Sequence, residues 1–106
     1  MKDLKGKALN LSNLAAYQKG SIVSQEVIKK DSGTVSVFAF DKGEGLSEHT
    51  APFDALVYIL DGQATVFIDK KPHSLKKNEF IIMPAGIPHS LKAVKKFKML
   101  LILIRK

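Results

Sequence analysis

Residues 49–62 read HTAPFDALVYILDG, in which a histidine precedes an alternating apolar run that ends in Asp-Gly. Alternation of this kind is typical of a β-strand with one buried face. Asp61-Gly62-Gln63 has the composition of a hairpin turn, so we expect one strand at residues 53–60 and a second at residues 64–68. The stretch predicts antiparallel β-structure, with His49 just ahead of its first strand.

The rest of the chain continues this pattern. Residues 10–17 predict one short helical turn capped by Asn10 or Ser12, and residues 41–48 predict a polar loop that leads to His49. The remaining strand-like segments are residues 22–28, 34–40, 72–75, 79–83, 89–94 and 97–104. About eight short strands with hardly any helical period predict an all-β protein, an antiparallel sandwich or barrel.

The last of these strands is unusual because both of its faces are apolar from Met99 onward. A strand of this kind is buried on both sides, either within the protein or against a partner sheet. In so small a chain we expect a homodimer to supply the second cover, with burial inside the protein as the alternative.

Length and composition set the class of protein. The 106 residues predict a single domain at 1–106, with an N-terminal arm at 1–21 and a β-barrel at 22–104. The absence of cysteine excludes disulfides and thiolate ligands and is typical of the cytoplasm. The N-terminus has no apolar signal segment and no run is long enough to span a bilayer, so we expect a cytoplasmic protein without membrane contact.

The formal net charge of +7 raises the question of nucleic-acid binding. Nearly all of the positive charge is lysine, because Arg105 is the only arginine. Phosphate and guanine recognition favours the planar fork of arginine, and the lysines fall mostly at predicted turns and strand ends. We therefore expect no nucleic-acid partner, and a mild preference for anionic small molecules remains open.

Two separated sets of residues resemble the motifs of the cupin family, small antiparallel β-barrels. In the first motif His49 matches the first histidine and Gly62 the closing glycine, with Gly43 or Gly45 near the opening position. Ala51 and Ala55 stand where that motif has its second histidine and its glutamate.

In the second motif Pro84, Gly86 and His89 match, while Asn78 replaces the leading glycine and Ala93 the final asparagine. The resemblance covers residues 34–104 and implies the double-stranded β-helix fold, also described as jelly-roll-like. Asparagine tolerates the left-handed backbone conformation that the leading glycine usually supplies, so Asn78 is a mild departure.

The resemblance also implies a metal site formed by three histidines and a carboxylate. Here His49 and His89 are the remaining candidate ligands, so we expect either no cofactor or one weakly bound divalent metal, Zn, Ni, Fe or Mn. Glu44 and Glu48 in the approach loop could lend a carboxylate. Asp54 should point to the opposite face because strand residues alternate. A third histidine, His73, is expected in an exposed turn.

Two alanines in place of ligands should enlarge and dry the cavity, which suits a small-molecule site. The expected ligand pocket consists of His49, Ala51, Ala55, Val57, Met83, His89 and Met99. The alternative is that Val57, Met83 and Met99 fill the space as ordinary core.

The function predicted from these features is binding of a small, mostly apolar or weakly anionic molecule by a cupin barrel with an incomplete metal site. One alternative is a metal-dependent dioxygenase or lyase that uses His49, His89 and a borrowed carboxylate. Another is a sensory or interaction module without catalysis. If the barrel is catalytic without metal, either histidine is the candidate base.

Overall fold

Antiparallel strands make up most of the molecule. The structure is a computed structural model that describes residues 3–105. One 3-10 turn, Leu11–Asn13, precedes the strands. The strands are β1 (Ile22–Lys30), β2 (Gly33–Phe40), β3 (Gly45–His49), β4 (Ala55–Ile68), β5 (Lys71–Lys76), β6 (Phe80–Met83), β7 (His89–Lys92) and β8 (Phe97–Ile104).

The strands curl into one sheet in the order β1-β2-β8-β4-β7-β3, and β5 and β6 pair with β4 outside this order. The first half of β4 pairs with β8 and β6, and its second half pairs with β5 and β7. One strand thus belongs to both walls. This arrangement confirms the predicted all-β, antiparallel jelly-roll barrel.

The predicted hairpin at residues 61–63 is wrong, because β4 runs without a break from Ala55 to Ile68. The pairing with β8 shifts register between Ile59 and Asp61, and Gly62 has a φ of 75°. A glycine in the left-handed region is also what a bulge needs, so the same composition bends a strand here instead of reversing it.

The predicted polar loop at residues 41–48 is also wrong in part, because residues from Gly45 onward form β3. This strand is mostly exposed and lacks an apolar pattern, and its pairing with β7 is what makes it a strand. The other predicted strands match the structure to within two residues at each end. The third histidine, His73, is exposed as expected but lies on β5 rather than in a turn.

Two apolar clusters lie on the two sides of β8. Met99, Leu101 and Leu103 face the barrel interior, whereas Leu100 contacts an outer cluster formed with the N-terminal arm. The arm begins its turn at Asn10, whose side-chain oxygen accepts a hydrogen bond from the backbone N–H of Ser12 at 2.9 Å. The Asn10 cap is thereby confirmed, and part of the second face of β8 is covered from within the chain.

Tyr17 ties the arm to the bend in β4. Its hydroxyl donates a hydrogen bond to the Asp61 carboxylate at 2.7 Å. Burial, the hydrogen bond and the negative charge of Asp61 together raise the pKa of Tyr17, so the phenol keeps its proton. Among residues 3–105, no helix is both long and apolar enough to cross a membrane.

Because of this bend, we expect substitution of Gly62 to destabilise the fold. A Cβ there would overlap the carbonyl oxygen of Lys96 and lie 2.9 Å from the Cα of Phe97, in addition to the strain of a positive φ. We expect Gly62→Ala to lower the free energy of unfolding by at least about 2 kcal/mol in chemical denaturation. Gly43→Ala is the matched control, because Gly43 has a φ of 89° but open space around it.

The control should lose only the strain contribution, on the order of 1 kcal/mol. If both variants lost the same free energy of unfolding, the close contacts of Gly62 with Lys96 and Phe97 would add nothing to the cost of the substitution.

Candidate functional site

The site is built around two histidines that the sheet places side by side. His49 on β3 pairs directly with His89 on β7. Their Nε2 atoms lie 3.1 Å apart, and the ring planes are inclined at 76°. His89 is only 4% exposed, whereas His49 is exposed, so the pair extends from the solvent into the barrel.

The hydrogen-bond partners assign the protons of the neutral pair. His49 Nδ1 lies 2.8 Å from the carbonyl oxygen of Ser47, and because a carbonyl can only accept, this nitrogen carries a hydrogen. His49 Nε2 is then an acceptor, and His89 Nε2 must donate to it. His89 Nδ1 is left as a buried acceptor without a hydrogen-bond partner among the described residues.

Burial is the main factor that lowers the pKa of His89, and the adjacent His49 imidazole lowers it further. The backbone of Ile87 opposes this with a smaller contribution, although it falls short of hydrogen-bond geometry with Nδ1. The uncharged form of His89 is therefore favoured at neutral pH. A neutral, oriented imidazole can accept or relay a hydrogen inside the barrel.

Behind the pair lies a cavity of about 210 Å³. Its walls are almost wholly apolar, and the two histidines are the only polar side chains among the described residues that line it. The lining residues are Leu46, His49, Ala51, Phe53, Ala55, Met83, His89, Leu91, Met99, Leu101 and Leu103. Met83 and Met99 thus border an open space and do not fill it.

The structure places six of the seven expected pocket residues in this lining, and Val57 is the exception. Val57 has no exposed surface and packs inside the hydrophobic core, two residues after Ala55 on β4. It faces the barrel interior, as strand alternation requires. Val57 is therefore part of the core rather than of this cavity lining.

The sequence analysis did not identify five of the apolar residues that line the cavity. Leu101 and Leu103 alternate with Met99 on β8, so the period of two could have found them. Leu46 lies in the segment misread as a loop. Phe53 lies two residues from both Ala51 and Ala55, and Leu91 lies two residues after His89, so the same period could have found these two as well.

The sequence also matches the Cupin_2 family of cupin domains over residues 36–105. The chain belongs to the cupin family. Among curated proteins, none matches it. The left-handed backbone at Gly62, Asn78 and Gly86, with φ values of 75°, 73° and 75°, explains the residue types at these motif positions.

Solved structures support the same assignment. A conserved protein of unknown function from Streptococcus pyogenes is 35% identical, with a TM-score of 0.90 over 95% of this chain and 89% of that chain. A cupin 2 conserved barrel domain protein from Leptotrichia buccalis is 44% identical, with a TM-score of 0.88 over 91% of this chain. This chain spans 47% of that protein, about half its length. A cupin superfamily protein from Desulfitobacterium hafniense is 27% identical, with a TM-score of 0.90 over 96% and 94% of the two chains.

The two histidines have the spacing of metal ligands but lack further ligands. The separation of the two Nε2 atoms suits two ligands of one ion, since bonds of about 2.0–2.1 Å place neighbouring nitrogens roughly 3.0–3.4 Å apart. However, residues 3–105 contain no group of three or more His, Cys, Asp or Glu side chains that could hold a metal. Because protein zinc sites take at least three protein ligands, the donor set does not fit.

None of the carboxylates considered from the sequence completes the set. The Asp54 carboxylate accepts a hydrogen bond from the backbone N–H of Ala85 at 2.9 Å and lies on the outer side of the sheet, as alternation predicts. Glu48 is exposed, and neither Glu44 nor Glu48 lines the cavity. The borrowed carboxylate is absent from the described part of the chain.

We expect little metal retention by the unaltered protein. After incubation with zinc, iron or nickel and removal of excess ion, elemental analysis should find below roughly one-tenth equivalent per chain. The double variant Ala51→His, Ala55→Glu adds the two missing ligand types to the cavity wall and should hold about one equivalent. Stoichiometric metal in the unaltered protein would contradict this prediction.

A pH dependence of stability follows from the lowered pKa of His89. Below the pKa of about 6.5 of a histidine in an unfolded chain, the unfolded state takes up a proton that folded His89 resists. Stability is therefore fully present above pH 6.5 and is lost as the pH falls toward the lowered pKa of the folded state. Between pH 7.5 and 5.5 the loss from His89 should reach at most about 1.4 kcal/mol.

This loss is measured as the change in unfolding free energy between the two pH values. His89→Gln should remove the contribution, and the exposed His73→Gln should retain it. The assignment to His89 fails if His89→Gln shows the same pH slope as the unaltered protein.

Proposed function

We propose that this cupin binds a small, mostly apolar molecule that carries a hydroxyl or other weakly acidic group. The observation that carries the proposal is the apolar cavity closed on its polar side by a hydrogen-bonded histidine pair. Concave, mainly apolar sites with a few convergent polar groups are characteristic of small-molecule binding. The apolar wall would hold the body of the ligand, and the imidazoles would orient its polar group.

The volume of the cavity limits the size of the ligand. A cavity of about 150 Å³ lined by aliphatic and aromatic side chains accommodates benzene. The cavity here, about 210 Å³, suits a molecule of roughly eight non-hydrogen atoms by the same ratio. Ligands of this size bind with dissociation constants on the order of 0.1–1 mM when their contacts are mainly apolar.

The positions of the hydrogens on the two imidazoles determine which polar group of a ligand the pair can bind. Both N–H groups of the neutral pair are engaged, His49 with Ser47 and His89 with His49. A ligand that can only accept a hydrogen bond finds no free donor there. The acceptor that lacks a partner among residues 3–105 is His89 Nδ1, which is buried, and a small rotation of the ring toward the cavity would let a ligand that donates a hydrogen satisfy it. Hydroxyl compounds and weak acids such as phenols meet this requirement.

The position of Ala51 offers a direct way to block the proposed site. Ala51 is half-buried at the cavity wall, outside any strand, so a larger side chain enters the cavity without disturbing a ladder. Ala51→Leu should occupy much of the space that the ligand needs. Ala16→Leu makes the same change at an exposed position in the N-terminal arm and serves as the matched control.

We expect phenol at about 10 mM to raise the melting temperature of the unaltered protein by several degrees in a thermal-shift assay. Ala16→Leu should respond in the same way, whereas Ala51→Leu should bind phenol at least about tenfold more weakly. Anisole, which replaces the hydroxyl hydrogen by a methyl group, should bind more weakly than phenol to the unaltered protein.

Absence of a concentration-dependent shift with phenol and benzyl alcohol, or an equal shift in Ala51→Leu, would refute binding in this cavity. Equal affinity for phenol and anisole would leave the cavity as the site but refute the role of the histidine pair.

A further inference from the structure

Four lysines border one groove at the bend of β4. The groove has a volume of about 560 Å³, and its lining residues are Lys42, Gly62, Gln63, Lys76, Lys95 and Lys96. A second groove of about 300 Å³ shares two of these residues and is lined by Gln63, Thr65, Val94 and Lys95. No carboxylate among the described residues lines either groove. We call the two adjoining grooves the lysine groove.

Backbone hydrogen bonds fix the two connections that carry three of the lysines. Lys42 lies in a turn closed by a hydrogen bond of 3.1 Å from the N–H of Glu44 to the carbonyl of Asp41. Two more backbone hydrogen bonds, of 2.7 and 2.8 Å, join this turn to Ala93. Ala93 begins the connection between β7 and β8, which carries the next two lysines. The two connections therefore hold each other in place.

The other lysine of the groove lies on a strand. Lys76 ends β5, where it pairs with Gln63 on β4, and its backbone N–H donates a hydrogen bond of 2.7 Å to the Glu79 carboxylate. On the opposite side, the ammonium of Lys96 lies 4.7 Å from the centre of the Tyr17 ring. The backbone of the groove is thus fixed, while the flexible lysine stems let the ammonium groups adjust to an anion.

The acidic side chains near the groove are engaged by other donors. The Asp41 carboxylate accepts a hydrogen bond of 2.7 Å from the backbone N–H of Gly20. This bond, and to a smaller extent the charge of Lys96, lowers the pKa of Asp41. The Asp61 carboxylate accepts the hydrogen bond from Tyr17. These carboxylates lie outside the lining, so the groove presents positive charge to the solvent.

We infer that the lysine groove binds a small multivalent anion, a molecule with two or more linked phosphate groups. Several ammonium groups around one groove attract such an anion more strongly than a single charge, because their attractions act on one ligand. The volume of the larger groove lies within the range of about 300–1,000 Å³ of small-molecule sites. Within the described part of the chain, neither aromatic nor arginine side chains line the groove. It therefore lacks the stacking surfaces of barrels that bind nucleic acid.

The lysine groove is separate from the apolar cavity. The two share no lining residue. On β4, Ala55 lines the cavity and Gly62 lines the groove, and their positions on an extended strand place them about 20 Å apart. An anion in the groove therefore leaves the cavity open, and this inference does not depend on the proposed function.

Inorganic triphosphate is a suitable test ligand for isothermal titration calorimetry on the full chain. At about 10 mM sodium chloride we expect a dissociation constant on the order of 0.1–1 mM. Orthophosphate should bind at least about tenfold more weakly, because it carries fewer charges. Raising sodium chloride to about 150 mM shortens the screening length from about 30 Å to about 8 Å and should weaken triphosphate binding severalfold.

The double variant Lys42→Gln, Lys95→Gln should bind triphosphate about tenfold more weakly. The double variant Lys29→Gln, Lys30→Gln is the matched control, because it removes the same charge at the end of β1, outside the groove. It should change the affinity less than about twofold. Ala51→Leu, which fills the apolar cavity, should bind triphosphate as the unaltered protein does. All four lysines are exposed, so both double variants should keep the circular dichroism of the unaltered protein.

Two results would overturn the inference: no binding of triphosphate at about 10 mM, or an equal loss of affinity in the two double variants. A third result would assign the groove to nucleic acid instead. It is a single strand of about 16 nucleotides that binds more tightly than triphosphate and loses this affinity in the Lys42, Lys95 double variant.

Discussion

The structure depends on one long strand that changes partners at a glycine. The 14 residues of β4 pair with four different strands, two on each side of the bend near Gly62. Close approach of Lys96 and Phe97 leaves no room for a side chain at this glycine, so the bend is fixed by packing as well as by backbone conformation. The bend lets the two halves of β4 take part in the two walls that enclose the interior.

The curled sheet explains why two histidines 40 residues apart meet. The second half of β4 holds β7, and β7 in turn holds the edge strand β3. His89 is thereby buried and His49 stays exposed, and the carbonyl of Ser47 fixes which nitrogen of His49 carries a hydrogen. The pair is the polar part of an otherwise apolar cavity wall, and this arrangement supports the proposed binding of a small molecule.

The two faces of β8 show how a small chain divides its apolar surface. The inner face lines the barrel and part of the cavity, while the N-terminal arm packs against part of the outer face. The arm is fastened by the Tyr17–Asp61 hydrogen bond and by Lys98, whose ammonium donates to the carbonyl oxygen of Ser12. The cavity and the packing of the N-terminal arm therefore lie on opposite sides of one strand.

The sequence by itself determined the all-β class and most strand positions, because period-two patterns and turn residues act over a few neighbouring positions. It narrowed the cap of the helical turn to Asn10 or Ser12, and its motif residues carried the resemblance to the cupin family. It also predicted that positions 49, 51, 55 and 89 would converge inside the barrel, since strand alternation and the motif positions carry that information. Only the tertiary structure decided that Asp61-Gly62 bends a strand instead of ending it, that residues 45–49 form an edge strand, and that Val57 lies below the cavity. Each of these depends on which distant strand supplies the hydrogen bonds and side chains, and pairing across 30 or more residues leaves no mark on the local sequence.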